Sequence, residues 1–529
     1  MTTSPLPTVP SPQGPRGGGP DTGSELSSGP VQQLSRWQRW SVLVIVSSAL
    51  LLITLDNTVL YTALPRLTED LGASTSQSLW IINAYPLVIA GLLPGSGALG
   101  DRLGHKRLFQ YGLAIFGVAS LAAAFAPTPE ALIAARAFLA IGAAAMLPAT
   151  LALIRVSFPV ERERNLAIAV WASVSVVGMA IGPIVGGLLL ERFWWGSVFL
   201  INVPIVIAGS VAIILAGPAN RKNHASRWDA LSSAQVMIGL TTAVLAIKSL
   251  AENTINWTLV ILATVTAVVT LSIFARRQLR LDEPLIDFHI FRNRAFAAGV
   301  VAAGTTIFAI MGAQLASTQR FQLVEGYTPL QAGLLVSAIA VGALPLAIAG
   351  GALLHRTGLL ALITGGLSVA VLGAGAAVVG AAQDMLSVLV LGLLIMGAGL
   401  GSAISVASTA IMGNVPPRRA GMAASIEEVS YEFGGLVAVA LLGSLLNFAY
   451  FRFLSLPPGA DEYAEASPTT ALTHGDAEIV HAAGSAMDSS FVVVLIAVTL
   501  VLAAGAVASA VLLRRYLPGT ASQAYPGNH

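Results

Sequence analysis

Apolar stretches of about 20 residues, the length that crosses a bilayer, recur along this chain with only short polar breaks between them. They fall near 41–63, 78–99, 108–126, 130–154, 166–190, 196–217, 230–249, 256–276, 295–316, 330–354, 359–380, 386–412, 421–449 and 489–513. In lipid each backbone N–H and C=O must find its partner within the segment or its barrel, so runs of this length are helices. The pattern predicts an all-α polytopic membrane protein with fourteen spans. Only 10% of the residues are charged, against roughly 25% in a soluble domain. The chain has no cysteine, which excludes disulfides and thiolate metal sites.

The basic residues orient the spans. Segments on one side (the N-tail, 100–107, 155–165, 218–229, 276–294, 355–358, 413–420 and the C-tail) hold 22 of the 28 Lys and Arg. Short loops obey the positive-inside rule, so both termini are expected in the cytoplasm. Residues 1–40 are rich in Pro, Gly and Ser and read as a disordered cytoplasmic tail, with a shorter one at 516–529. The outer segment 450–488 carries Asp461, Glu462, Glu465, Asp476, Glu478 and Asp488 against Arg452 alone. It could concentrate cations, or simply be a solvated loop.

Against this apolar background five charges stand inside spans: Asp56, Arg136, Glu427, Glu428 and Glu432. A charge at the bilayer centre costs ~2.5–3.5 kcal/mol or more, so such groups mark ion or proton pathways. Arg136 needs an acid or carbonyl partner, and Asp56 is the candidate. On a helix Glu428 and Glu432 share a face, with Glu427 rotated from it by ~100°. Like charges on one face disfavour full ionisation, as a proton-exchange site requires.

Several motifs add to this. Gly97-Ala-Leu-Gly100-Asp101-Arg102-Leu-Gly104-His105-Lys106-Arg107 lies between the second and third spans, and Gly178-Met-Ala-Ile-Gly182-Pro183-Ile-Val-Gly186-Gly187 lies in the fifth. The first resembles the Gly-x-Leu-x-Asp-Arg-x-Gly-Arg-Lys gating loop of the major facilitator superfamily, with His105 in place of the usual Arg. The second is similar to the antiporter motif of its exporters. LIAARAFLAIGAAAMLPA around Arg136 resembles the family's fourth-helix motif tied to proton transfer, without the usual glutamine. The runs Leu55-Asp56-Asn57-Thr58-Val59 to Pro65, Leu79-Trp80-Ile81-Ile82-Asn83-Ala84-Tyr85 and Glu427-Glu428 followed by Glu432 are similar to signatures of the fourteen-spanner drug:proton antiporters. The likeness is above all to quaternary-ammonium and antiseptic efflux pumps, over about residues 41–515.

That resemblance implies a major facilitator fold: six-helix halves at 41–217 and 295–515, with two central helices inserted at 218–294. It implies proton-coupled efflux of lipophilic drugs, dyes and antiseptics across a bacterial cytoplasmic membrane by a monomer. In the family the loop acid sits against a helix N-terminus of the other half and latches the gate. Two departures bear on cargo. Asn83 stands where such pumps commonly have Asp, and Ala343 aligns where relatives that take dications carry an acid, which favours monovalent cations. Trp80, Tyr85 and Phe433 are candidates for stacking on a delocalised cation, although helix packing accounts for aromatics there too. A dedicated exporter of a natural product, lipid, peptide or siderophore is the alternative. The proton gradient is the expected driving force, with no cofactor, nucleotide, metal or nucleic acid: no phosphate-binding Gly-Lys-Ser/Thr loop is present, and the seven histidines lack ligand spacing.

Overall fold

Hydroxyl side chains fix where three long helices begin. Ser35 accepts the Gln38 N–H while Gln38 reaches back to the Ser35 backbone; Thr328 and Gln331 repeat that box, and Thr128 caps a helix opened by Pro129. Such caps satisfy N–H groups that a helix end otherwise leaves bare. The computed structural model describes residues 34–73, 75–220, 229–250, 255–281, 284–416, 419–456, 471–472 and 476–516. Most of both tails and the acids Asp461, Glu462 and Glu465 lie outside the described residues.

The chain forms α1 (Arg36–Leu71), α2 (Thr75–Leu103), α3 (His105–Ala124), α4 (Pro129–Ser157), α5 (Glu161–Arg192), a short α6 (Ser197–Leu200), α7 (Asn202–Ala216), α8 (Ala230–Leu250), α9 (Trp257–Gln278), a 3-10 turn (Phe288–Arg292), α10 (Arg294–Leu323), α11 (Pro329–Ala382), α12 (Leu386–Gly413), α13 (Ala420–Phe453) and α14 (Ala477–Leu513). No strand occurs among the described residues.

Among the described residues twelve helices are long and apolar enough to cross a membrane. All fourteen predicted segments fall on helices, and the two numbers differ for identifiable reasons. The predicted spans 330–354 and 359–380 are joined in the 54 residues of α11, and α5 is not among the twelve. At 1.5 Å per residue α11 would run about 80 Å, far beyond a ~30 Å hydrocarbon core. Gly358, with φ 80° and ψ 170°, breaks it, a conformation that a residue without Cβ tolerates. The last helix starts at Ala477 rather than 489, because Asp476 caps it, and Asp488 therefore lies inside α14.

Two apolar cores result. One is built from residues between Val42 and Ala216, joined by Ile411, Met412, Val415 and the first turns of α13. The other runs from Ala295 to Tyr516. The hairpin α8–α9 touches both bodies, since Val244 packs with Ala90 of α2 and with Leu436 and Phe433 of α13. Between the cores, ties gather at the end that carries the basic loops. Arg155 donates to the Val415 carbonyl, and a Cβ on Gly351 of α11 would meet the Asn165 carbonyl of α5 at 2.8 Å.

Candidate functional site

A buried arginine must spend its donors, and Arg136 on α4 does so on three neighbouring groups. Its Nη1 lies 2.5 Å from Asp56 Oδ2 on α1, its Nε donates to the Ile81 carbonyl of α2 at 3.3 Å, and its Nη2 reaches Asn57 Oδ1 at 3.4 Å. The Tyr85 ring lies under the guanidinium, 4.4 Å away, a cation–π contact. The second Asp56 oxygen accepts the amide of Asn202, at the start of α7, at 2.9 Å, and the same amide reaches Ser120 Oγ of α3 at 3.2 Å. Asp56 is 3% exposed and Arg136 1%. Helices α1, α2, α3, α4 and α7 thus converge on one neutralised pair, the arrangement that makes buried charge tolerable.

The other acids are held differently. Glu427 is wholly buried; its Oε1 accepts the Ser408 hydroxyl of α12 and, at 2.8 Å, the Tyr431 hydroxyl one turn along α13. Its Oε2 and the Oε1 of buried Glu428 have no hydrogen-bond partner, and among the described residues neither glutamate forms an ion pair. Glu432 is half-buried. It lies within electrostatic reach of Tyr85 and of Glu428, and Tyr85 is also within reach of Asp56 and Arg136. The rotation of Glu427 away from Glu428 and Glu432 turns it toward α12.

The loop motif meets the far body. Asp101 Oδ1 accepts the Gly421 N–H in the first turn of α13 at 3.2 Å and lies 3.1 Å from His105 Nε2. A Cβ on Gly97 would come within 2.0 Å of Ser425 Oγ and 2.3 Å of the Gly421 carbonyl, so the glycine admits α13 at backbone distance. Gly104 (φ 92°) turns the chain into α3, and Asn220 fastens that turn by donating to the Leu103 carbonyl and accepting the Arg107 N–H. The Arg102 and Arg107 side chains are exposed. In α5, Gly178 and Gly182 face Thr54 and Thr58 of α1, at 2.0 and 1.8 Å from a notional Cβ, whereas Gly187 has open space. That motif joins two helices of one body; Gly186 is buried, and the Pro183 side chain lies outside the description.

The structure places the aromatic candidates in different surroundings. Tyr85 lies beneath the Arg136 guanidinium. Phe433 packs on the α8–α9 hairpin with Val236, Phe274 and Val244, and Trp80 is 41% exposed rather than enclosed. The side chain of Asn83 is not among those described. Ala343 is buried, its carbonyl 2.1 Å from where a Cβ on Gly401 of α12 would stand. Sequence reasoning missed Asn202, Ser408 and Asn220. Asn202 did leave a signal, a lone amide opening an apolar run.

The Major Facilitator Superfamily profile matches residues 46–439. The chain is 38% identical over 436 residues to the methyl viologen resistance protein SmvA of Salmonella typhimurium strain LT2, covering 82% of this chain and 88% of that one. It is 35% identical over 486 residues to the multidrug efflux pump LfrA of Mycolicibacterium smegmatis, covering 88% and 95%. Among solved structures, the human organic anion transporter MFSD10 superposes with a TM-score of 0.60 at 15% identity, over 88% of this chain and 99% of the other.

Proposed function

Since the chain belongs to the Major Facilitator Superfamily, we propose that it is a proton-coupled multidrug efflux antiporter of a bacterial cytoplasmic membrane, with both termini in the cytoplasm. One observation carries the coupling: Glu427 and Glu428 are buried with carboxylate oxygens that have no hydrogen-bond partner, whereas the buried Asp56 is already paired with Arg136. In that setting a carboxylate takes either a proton or a cationic cargo, and the two exclude each other. Export rather than uptake is supported by the relative named as an efflux pump and by the close α1–α5 fit of the antiporter motif.

With the basic end cytoplasmic, the ties through Asp101, Arg155 and Gly351 close the inner side. The conformation is the one that receives protons from outside and releases cargo there. Protons load onto the Glu428/Glu432 pair and onto Asp56, the latter loosening Arg136; the carrier rocks; cytoplasmic deprotonation then frees carboxylate charge for a lipophilic cation, which returns outward. The gradient drives the cycle without nucleotide. With Asn83 and Ala343 in place of acids, monovalent cations are the favoured cargo. Dications belong on the same test panel, because one relative is named for resistance to methyl viologen.

Inside-out vesicles energised to an acid lumen test this. Adding a monovalent lipophilic cation is expected to alkalinise the lumen, read by a pH dye. Silence across monovalent, divalent and neutral drugs, with the protein inserted, would overturn drug:proton antiport in favour of a dedicated exporter.

A further inference from the structure

The helix that carries all three glutamates, α13, is gripped at its N-terminus by two acids from different segments. Asp101 in the last turn of α2 holds the Gly421 N–H. Asp287, in the segment between α9 and α10, pairs through Oδ2 with Arg419, the residue immediately before α13, and its own N–H points at Met422 Sδ at 3.4 Å. Its Oδ1 accepts the His289 N–H and contacts the His289 ring, both at 3.0 Å. Burial pushes the Asp287 carboxyl up, but the His289 N–H, Arg419 and the His289 ring outweigh it and hold the group below the usual carboxylate range. Asp287 is therefore an anion at neutral pH.

The segment bearing Asp287 is anchored at its other end as well. Buried Gln278, the last residue of α9, accepts the N–H groups of Leu285 (2.6 Å) and Ile286 (3.3 Å) while donating to Ser232 of α8 at 2.7 Å. Arg277 pairs with Asp229 at 3.0 Å. Residues 285–287 are thus held to the base of the α8–α9 hairpin at one end and to the base of α13 at the other. The other half has a counterpart: Arg39 in the first turn of α1 pairs with Glu163 in the first turn of α5 at 2.7 Å. In the order of helices within each half, α1 corresponds to α10 and α5 to α13. Each half therefore ties the start of its fifth helix to its first helix or to the segment that leads into it, with the charges exchanged.

We propose that Asp287 is a second arm of the inner latch, a positioning residue that holds the α13 N-terminus where Asp101 can reach it. Asp101 binds a backbone N–H and so depends on where that N–H is put; Asp287 and Arg419 fix it from the segment between α9 and α10. The tie lies at the base of the helix that carries the glutamates, so movement of α13 on protonation or cargo binding reaches both arms together. The inference rests on the alternating-access reading above, but its test needs no knowledge of the cargo.

The chain lacks cysteine, so Met412→Cys, in the apolar core shared across the inner end, is a single reporter. An impermeant maleimide added to inside-out vesicles reads how often that end opens. Asp287→Asn and Arg419→Gln are each expected to raise the labelling rate about five-fold, the effect of one modest ion pair, and the double variant no further. Turnover should change with KM largely kept. Asp287→Arg with Arg419→Asp, the charge order of the other half, should restore protection. Wild-type labelling in either single variant, additive effects in the double, or a swap that labels like the singles would overturn the proposal. A silent transport panel alongside the expected labelling pattern would count against the drug assignment alone.

Discussion

Asp56 and Glu428 are both buried acids in the middle of long helices, yet one is surrounded by donors and the other is not. Asp56 has a guanidinium on one oxygen and an amide on the other; Glu428 has a buried oxygen with no partner, and Glu427 beside it has only hydroxyls. The first arrangement is a finished electrostatic unit and the second an unfinished one. A carrier needs both: a neutral pair that holds five helices in register, and acids whose missing positive charge has to come from solution.

Breaking the finished unit should have the largest effect. Asp56→Asn leaves Arg136 buried without its counter-charge, and removing one partner of a buried pair costs about 3–5 kcal/mol. Transport should vanish and the detergent-solubilised protein should melt lower; adding Arg136→Gln should recover stability and leave transport dead. Glu428→Gln is expected to invert that pattern. Losing an unpartnered buried carboxylate relieves roughly 1–2 kcal/mol, so the melting temperature should hold or rise while drug-driven proton movement is lost. If both variants destabilise alike, the contrast drawn between the two sites is wrong.

Smaller changes sharpen it. Ser408→Ala removes one donor to Glu427 and should cost about 1 kcal/mol, shifting the pH profile of transport without abolishing it. Smallest is the response of the inner latch to acid. Asp287 is held below the usual carboxylate range, so its contribution is present above that range and is lost as pH falls through the depressed value. Labelling of the Met412→Cys reporter should therefore stay flat near neutral pH, begin to rise as pH falls into the ordinary carboxylate range, where an opened and unpaired Asp287 takes up a proton, and level off below the depressed value.

Much of this was legible in the sequence because hydropathy and glycine spacing are local. Each apolar stretch must be a helix wherever it ends up, and Gly97, Gly178 and Gly182 announce close approach by lacking a side chain. The start of α14 was hidden because Glu478, His481 and Asp488 dilute a stretch whose Ile479, Ala483 and Met487 nonetheless face the core. Asn202 reaches Asp56 across 146 positions and Arg419 reaches Asp287 across 132, pairings that no local pattern encodes. The surroundings of the aromatics have the same origin. Residue type says that Tyr85 and Phe433 favour flat, apolar company, while only the packing says that Arg136 and the α8–α9 hairpin already provide it.

The unequal grip of that hairpin has a mechanical consequence. Against α2 it fits at backbone distance, with a notional Cβ on Gly91 lying 2.5 Å from Thr241 Oγ1 and one on Gly95 lying 3.3 Å from Ser233. Against α13 it meets side-chain tips, Leu436 and Phe433. In the proposed rocking cycle, a closer fit on one side than on the other would have the hairpin travel with the N-terminal body and slide on the C-terminal one. The two rocking masses would then be unequal, and the tie through Asp287 would be the tether that limits the stroke.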